Sequence, residues 1–211
     1  MRICFIRNCI ISLLAGVLLV ACASSTASRL YVLNPVAYVA PLAQSKADAV
    51  SVGLTLKLPA YLERSQIVTR SNDSQLKLAQ SDRWAGNLRK NMTQVLVKNM
   101  TALLDASRIA VVPADSDVLP ALSVELELFG FERFSDGKVH LSSAWRIVDD
   151  SGLLKAHHTF ESSRAAGLKG YEATVEVMSA LLGDLSHAMA ESLVKLLEAG
   201  SPDKGVAPAA A

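Results

Sequence analysis

Four consecutive residues, Leu19-Val20-Ala21-Cys22, place a thiol directly after a compact, uncharged cleavage site. The stretch looks like a bacterial lipobox, in which the cysteine sulfur is the atom to which a diacylglycerol is attached. Upstream, Arg2 and Arg7 supply a positively charged n-region, and residues 9–20 supply roughly a dozen apolar side chains, the length of a signal h-region. A membrane span would need about 20. The pattern predicts cleavage after Ala21 and acylation of Cys22, with residues 1–21 a lipoprotein signal peptide and 22–29 a lipidated tether.

Other residue types with chemical potential do not assemble into a reaction. His157 and His158 are adjacent, but neighbours on a strand point to opposite faces, so one ion would not take both. His158 would share a face with Ala156 and Phe160 as a packed histidine. Asp149 and Asp150 sit in D-D-S-G between two apolar runs, where turn residues are expected. The chain has no G-x-S-x-G, phosphate-binding loop, G-x-G-x-x-G or H-E-x-x-H. No nucleophile, base and oxyanion donor can be put together. The expectation is a protein that is not an enzyme, without cofactor or metal.

One stretch interrupts its own pattern. In residues 122–128 the even positions are apolar and the odd ones include Glu125 and Glu127, yet Phe129 and Phe131 then place aromatics on the polar side, with Gly130 between them. A bulge there would swing the rings back toward the core. The other reading is an exposed aromatic patch for a partner.

The elements that must position these residues follow from hydrophobic periodicity. A short strand is expected at 30–33, then a proline-containing loop at 34–48. Strict alternation of Val50, Val52, Leu54, Leu56 and Leu58 marks the clearest strand. Shorter extended pieces are expected at 66–69 and 75–78. A helix capped by Ser81 or Asp82 should carry Trp84, Leu88, Met92, Val95, Leu96, Met100 and Leu103 on one face through Leu104. A strand at 109–112 precedes a meander of 122–134, 139–148 and 153–163, turning at Asp136-Gly137 and at residues 149–152. A second amphipathic helix is expected over 170–197. Because the strands keep a polar face, both helices should cover the same side of the sheet. The predicted fold is α+β, a single mixed β-sheet with two long amphipathic helices on one face; three α/β/α layers are the alternative.

The full chain has 211 residues and a formal net charge of +1. Without its first 21 residues it has 190, enough for one domain with a proper core, and a net charge of −1. Lys and Arg are scattered among Asp and Glu, which argues against nucleic acid as a partner. Cys4 and Cys9 lie in the signal, so only Cys22 remains and no disulfide is expected. Residues 30–200 read as one periplasmic domain and 201–211, rich in Ala with Pro and Gly, as a flexible tail.

Four stretches, in this order and spacing, resemble the ABC-type transport auxiliary lipoproteins, the PqiC-like family. They are the lipobox before an early R-L-Y-V-L strand, Tyr61-Leu62-Glu63-Arg64-Ser65-Gln66-Ile67-Val68, Asp82-Arg83-Trp84-Ala85, and Ala144-Trp145-Arg146-Ile147. Tyr171 ahead of Met178-Ser179-Ala180-Leu181 and Leu185-Ser186 also fits. The family commonly has Asp at position 63 and Pro at 65, where this chain has Glu63 and Ser65. The resemblance implies a fold similar to the N-terminal domain of TolB, and a non-enzymatic lipoprotein working beside an MCE-domain lipid transport protein and its ABC permease to maintain the envelope. Self-association into a homo-oligomer is compatible with it. Tyr61, Arg64, Arg83 and Trp84 are the candidate partner-binding cluster, although Trp84 equally suits a core position and Arg64 a surface charge. Ala23 follows the lipidated cysteine where an Asp would retain a lipoprotein in the inner membrane. The expected location is therefore the periplasmic side of the outer membrane, the inner membrane being the alternative. Another class of role, a structural or assembly subunit of an outer-membrane export or secretion complex, stays open from the sequence.

Overall fold

β6 is the strand around which the others are arranged. The computed structural model describes residues 27–37, 42 and 49–200. The signal segment 1–21, Cys22, Ala23, parts of the expected tether and of the 34–48 loop, and the tail 201–211 lie outside the described residues. Within them run β1 (Arg29–Tyr31), β2 (Val50–Lys57), β3 (Gln66–Asn72), β4 (Gln75–Trp84), α1 (Leu88–Leu104), β5 (Ile109–Pro113), β6 (Leu122–Arg133), β7 (Lys138–Asp149), β8 (Leu154–Ala165) and α2 (Glu172–Gly200).

Along one side β6 pairs with antiparallel β7, which pairs with β8. Along its other side the first half of β6 takes parallel β2, with β5 beyond. The end of β6 meets β3 at Thr69↔Arg133. β4 and the short parallel β1 extend the sheet from there. The sheet is thus mixed, and forked at its central strand.

Alternation decides which face is buried. Val52, Leu54 and Leu56 of β2, Val124, Leu126 and Leu128 of β6, and Val139, Leu141, Trp145 and Ile147 of β7 are buried on one side. Both helices pack there. From α1 come Leu88, Met92, Val95, Leu96, Met100 and Leu103, and from α2 come Met178, Leu182, Leu185, Met189 and Leu193. Asn99 of α1 donates to Ser186 of α2 across their buried seam at 3.3 Å, and Trp145 donates to Ser192 of α2 at 3.2 Å. Two layers form, with both helices on one face, so the three-layer alternative is not realised.

The first helix begins later than its periodicity suggests. Residues 82–84, expected inside it, end β4, and Asn87 caps α1 by accepting from the Lys90 amide at 2.9 Å. Asp82 has another task. It pairs with Arg29 across the β1–β4 ladder, and its carboxylate receives the Arg29 guanidinium through two bonds of 2.8 and 2.9 Å and the Tyr31 hydroxyl at 2.9 Å. Trp84 nevertheless points into the same core as Leu88, which is why a helical spacing seemed to run through it. β4 is accordingly ten residues long where only 75–78 was expected, and β3 also runs beyond residue 69.

The two hairpins form as the turn residues predict, with Gly137 at φ 81° and Gly152 at φ 82°. At Gly137 space is short as well, because a Cβ would stand 3.3 Å from the Gly167 backbone.

Candidate functional site

The interruption in β6 is a β-bulge. Leu128 pairs with Ser143 and Gly130 with Ser142, leaving Phe129 as the extra residue. The bulge separates the two aromatics instead of burying both or exposing both. Phe131 turns into the core and is fully buried, while Phe129 stays on the helix-free face, 55% exposed.

The same shift puts Glu132 on the helix-free face, where an acid would ordinarily be solvated, yet it is only 2% exposed. Two other segments roof it. A single turn of 3-10 helix, Ala60–Leu62, brings Tyr61, whose hydroxyl donates to Glu132 Oε2 at 2.9 Å. β3 brings Arg70, whose Nε donates to Oε1 at 2.7 Å, and the Phe131 amide donates to Oε2 at 2.8 Å. A buried carboxylate with these partners is paired and satisfied. The guanidinium also lies 5.4 Å from the centroid of the Phe134 ring and 5.9 Å from that of Tyr61. Burial first, and the Glu132 charge second, push the Tyr61 hydroxyl up to about 12. Burial alone would lower the Arg70 guanidinium, but its bond and charge pairing with Glu132 hold it above its ordinary value.

Beside this cluster lies a cleft of about 620 Å³, lined among others by Phe129, Phe134, His140, Ser142, Glu161 and Ser163. Its floor is a cross-strand row of small residues, Gly130 and Ser142, with Glu161 next to them on β8. Further along the same face a smaller groove, of about 440 Å³, carries Lys57, Glu125, Glu127, Arg146 and His157. Charges of both signs therefore alternate across the helix-free side of the sheet, with Phe129 an exposed aromatic among them.

The residues singled out from the sequence fall into three places. Tyr61 and Phe129 come together, the Tyr61 hydroxyl lying 3.4 Å from the Phe129 carbonyl oxygen. Arg64 lies exposed in the loop after the 3-10 turn, and Arg83 donates to the next residue, Ser65, at 3.1 Å. Trp84 and Phe131 are core residues. Cys22 lies outside the described residues. Sequence reasoning missed Arg70, Glu132 and Phe134. The one signal was an acid between Phe131 and Arg133 late in an apolar strand, and nothing in its spacing names a cation 62 residues earlier.

The remaining candidates take structural roles. His158 stacks on Trp145 on the helix side, ring centroids 5.1 Å apart, while His157 faces the opposite groove. Asp149 accepts from the Ser151 and Leu153 amides and from Lys155, and these bonds hold its carboxyl well below the usual range. It ties the turn. Among the described residues no three His, Cys, Asp or Glu stand together as a metal site, and no helix is long and apolar enough to cross a membrane.

The domain is thus a two-layer α+β fold whose second sheet face carries no helix and a ladder of charges. The same fold is found in a protein from Xanthomonas campestris, with a TM-score of 0.67 at 13% identity over 80% of this chain and 97% of that one. A second solved structure, of an uncharacterised protein, gives a TM-score of 0.62 at 23% identity over 79% of this chain and 99% of that one. The chain belongs to the ABC-type transport auxiliary lipoprotein component family, whose model matches residues 31–190. Among its relatives is the intermembrane transport lipoprotein PqiC of Escherichia coli, 25% identical over 141 residues that make up 66% of this chain and 72% of that protein. The family is one of transport auxiliary components, not an enzyme class.

Proposed function

We propose that the domain is a periplasmic, lipid-anchored auxiliary subunit of an MCE/ABC-type intermembrane lipid transport system that maintains envelope integrity. It contributes a docking surface and no catalytic step. The observation that carries this reading is the family match, which spans nearly the whole folded domain and includes a relative named for intermembrane transport. In this reading residues 1–21 are removed, Cys22 carries the lipid, 22–29 form the tether, 30–200 the working domain and 201–211 a tail. The anchor sits in the periplasmic leaflet of the outer membrane, since Ala23 lacks the retention signal, and its acyl chains contribute about 0.8 kcal/mol per buried CH₂.

The helix-free face suits an MCE-domain partner with its attendant permease. Phe129 projects there beside Tyr61, with Arg64 and Arg83 at the neighbouring loop, while Trp84 and Phe131 support them from beneath. Affinity purification of the lipidated protein from detergent-solubilised envelope tests the assignment. Recovery of an MCE protein is expected. Recovery of an export or secretion channel in its place would overturn it.

A further inference from the structure

The end of the sheet where β6 begins carries apolar side chains that the domain leaves uncovered. Leu122 opens β6 opposite Asp149 of β7. Two segments meet at that end, the crossover 114–121 from β5 and the turn 150–153 between β7 and β8. Leu119 is 93% exposed, Leu153 and Leu154 are each more than half exposed, and Val118 about half.

Both segments are held in place. The Leu119 carbonyl accepts from Ser51 Oγ at 3.3 Å, and the Ala121 amide donates to the Ser51 carbonyl at 3.0 Å. Pro120 lies so close to β2 that a Cβ on Gly53 would stand 3.0 Å from its Cγ, so the glycine lets the crossover lie flat on the helix-free side. In the other segment Asp149 gathers the Ser151 and Leu153 amides, and the Asp149 amide donates to the Leu153 carbonyl at 3.1 Å. The leucines are thus presented by fixed backbone, the arrangement of a contact surface.

Charge and position narrow the occupant. Asp117 and Asp150 are exposed at this end and carry no ion pair among the described residues, while Lys155 is committed to Asp149 and Asp115 lies further up the sheet beside Arg89 and Lys90 of α1. Among the described residues Arg108, exposed just before β5, is a further cation at this end. β1 lies level with the last third of β6, two strands away across β4 and β3, and its register with β4 shows the chain arriving from the end where β6 finishes. Cys22 precedes Arg29 by seven residues, at most about 25 Å of extended chain. β6 itself spans roughly 35 Å. The leucine-bearing end therefore points away from the anchor.

We propose that this end docks a protein partner presenting an apolar hollow flanked by Lys or Arg. The proposal rests on the auxiliary-subunit reading and adds to the helix-free face a second contact surface at the end of the sheet. The acidic rim disfavours an anionic phospholipid surface. It equally disfavours a second copy packed end to end, which would set Asp117 and Asp150 against their own equivalents.

The test uses the full-length, lipidated protein in its own envelope, with a photo-crosslinking residue placed in turn at Leu119, Leu153, Phe129 and Asp136, the last in the turn at the anchor end. Leu119 and Leu153 should capture a protein of the transport system. The yield should fall about tenfold, as loss of a central contact implies, when Asp117→Lys and Asp150→Lys are combined. Asp136 should capture none. Capture from the leucine positions of phospholipid or of a second copy alone overturns the proposal, as does an undiminished yield in the double variant. Capture of the transport protein from Phe129 or Asp136 but not from the leucines also overturns it, and leaves the auxiliary-subunit reading standing. If no position captures such a protein, the auxiliary-subunit reading fails, and this proposal with it.

Discussion

Tyr61 and Glu132, 71 residues apart in the chain, share a hydrogen bond of 2.9 Å that closes the roof over the helix-free face of the sheet. Arg70 completes the enclosure from β3, so three separate segments converge on one carboxylate. That convergence fixes the 3-10 turn, the end of β3 and the bulged end of β6 relative to each other. Phe129 and the cleft beside it inherit their positions from it.

Removing the acid should therefore cost stability out of proportion to its size. Glu132→Ala leaves the largely enclosed Arg70 without a counter-charge, and a loss of about 3 kcal/mol is expected. Arg70→Ala should cost at least as much, because the carboxylate left behind is the more deeply buried partner. Replacing both, as Arg70→Met with Glu132→Leu, should recover most of the loss. Urea denaturation of the single and double variants reads the coupling, and additive effects would refute it.

The same cluster predicts a limb in the alkaline stability profile. The Tyr61 hydroxyl titrates near 10.0 when unfolded and at about 12 when folded. A raised folded value means its contribution is fully present below pH 10 and is lost as pH rises through 12. Tyr61→Phe should flatten that limb. Asp82 works in the opposite sense. Its bond to Arg29 lowers it from 3.8, so its contribution is present above that value and fades as pH falls through the folded value. Asp82→Asn should weaken the acid limb, and denaturation midpoints measured across pH check both.

The bulge makes unequal predictions for residues of like type. Phe131→Ala and Trp84→Ala should each cost about 3 to 5 kcal/mol, since both rings are buried. Phe129→Ala should stay within about 0.5 kcal/mol. Equal losses at Phe129 and Phe131 would mean that the register around Gly130 is not the one described.

For the anchor, Cys22→Ser should abolish acylation and block cleavage after Ala21. Intact-mass measurement decides this, because a wild-type protein without lipid mass on Cys22 would leave the domain untethered. Density-gradient separation should then place the lipidated protein with outer-membrane markers. Migration with inner-membrane markers would remove the basis for the location proposed from Ala23.

Local pattern carried much of the architecture. β2, the β6–β7–β8 meander, both glycine turns and the inner face of each helix follow from alternation of 2 or about 3.6 and from turn chemistry, all of which act over a few residues. The mistaken helix start shows where such a pattern stops being enough. Trp84 and Leu88 have a helical spacing, but Asp82 is held in β4 by Arg29, 53 residues away, and that long-range bond outweighs the local preference.

By itself the sequence determined the α+β class, the side on which the helices lie and, through its motifs, the family. Only the tertiary structure decided that Phe131 goes inward while Phe129 stays out, that Glu132 is buried with Tyr61 and Arg70, and that Leu119 and Leu153 share one uncovered end. The reason is physical. Periodicity reports which face of an element is apolar, whereas a bulge, a buried charge or a surface patch depends on what another segment brings to that face, and sequence spacing holds no record of that meeting.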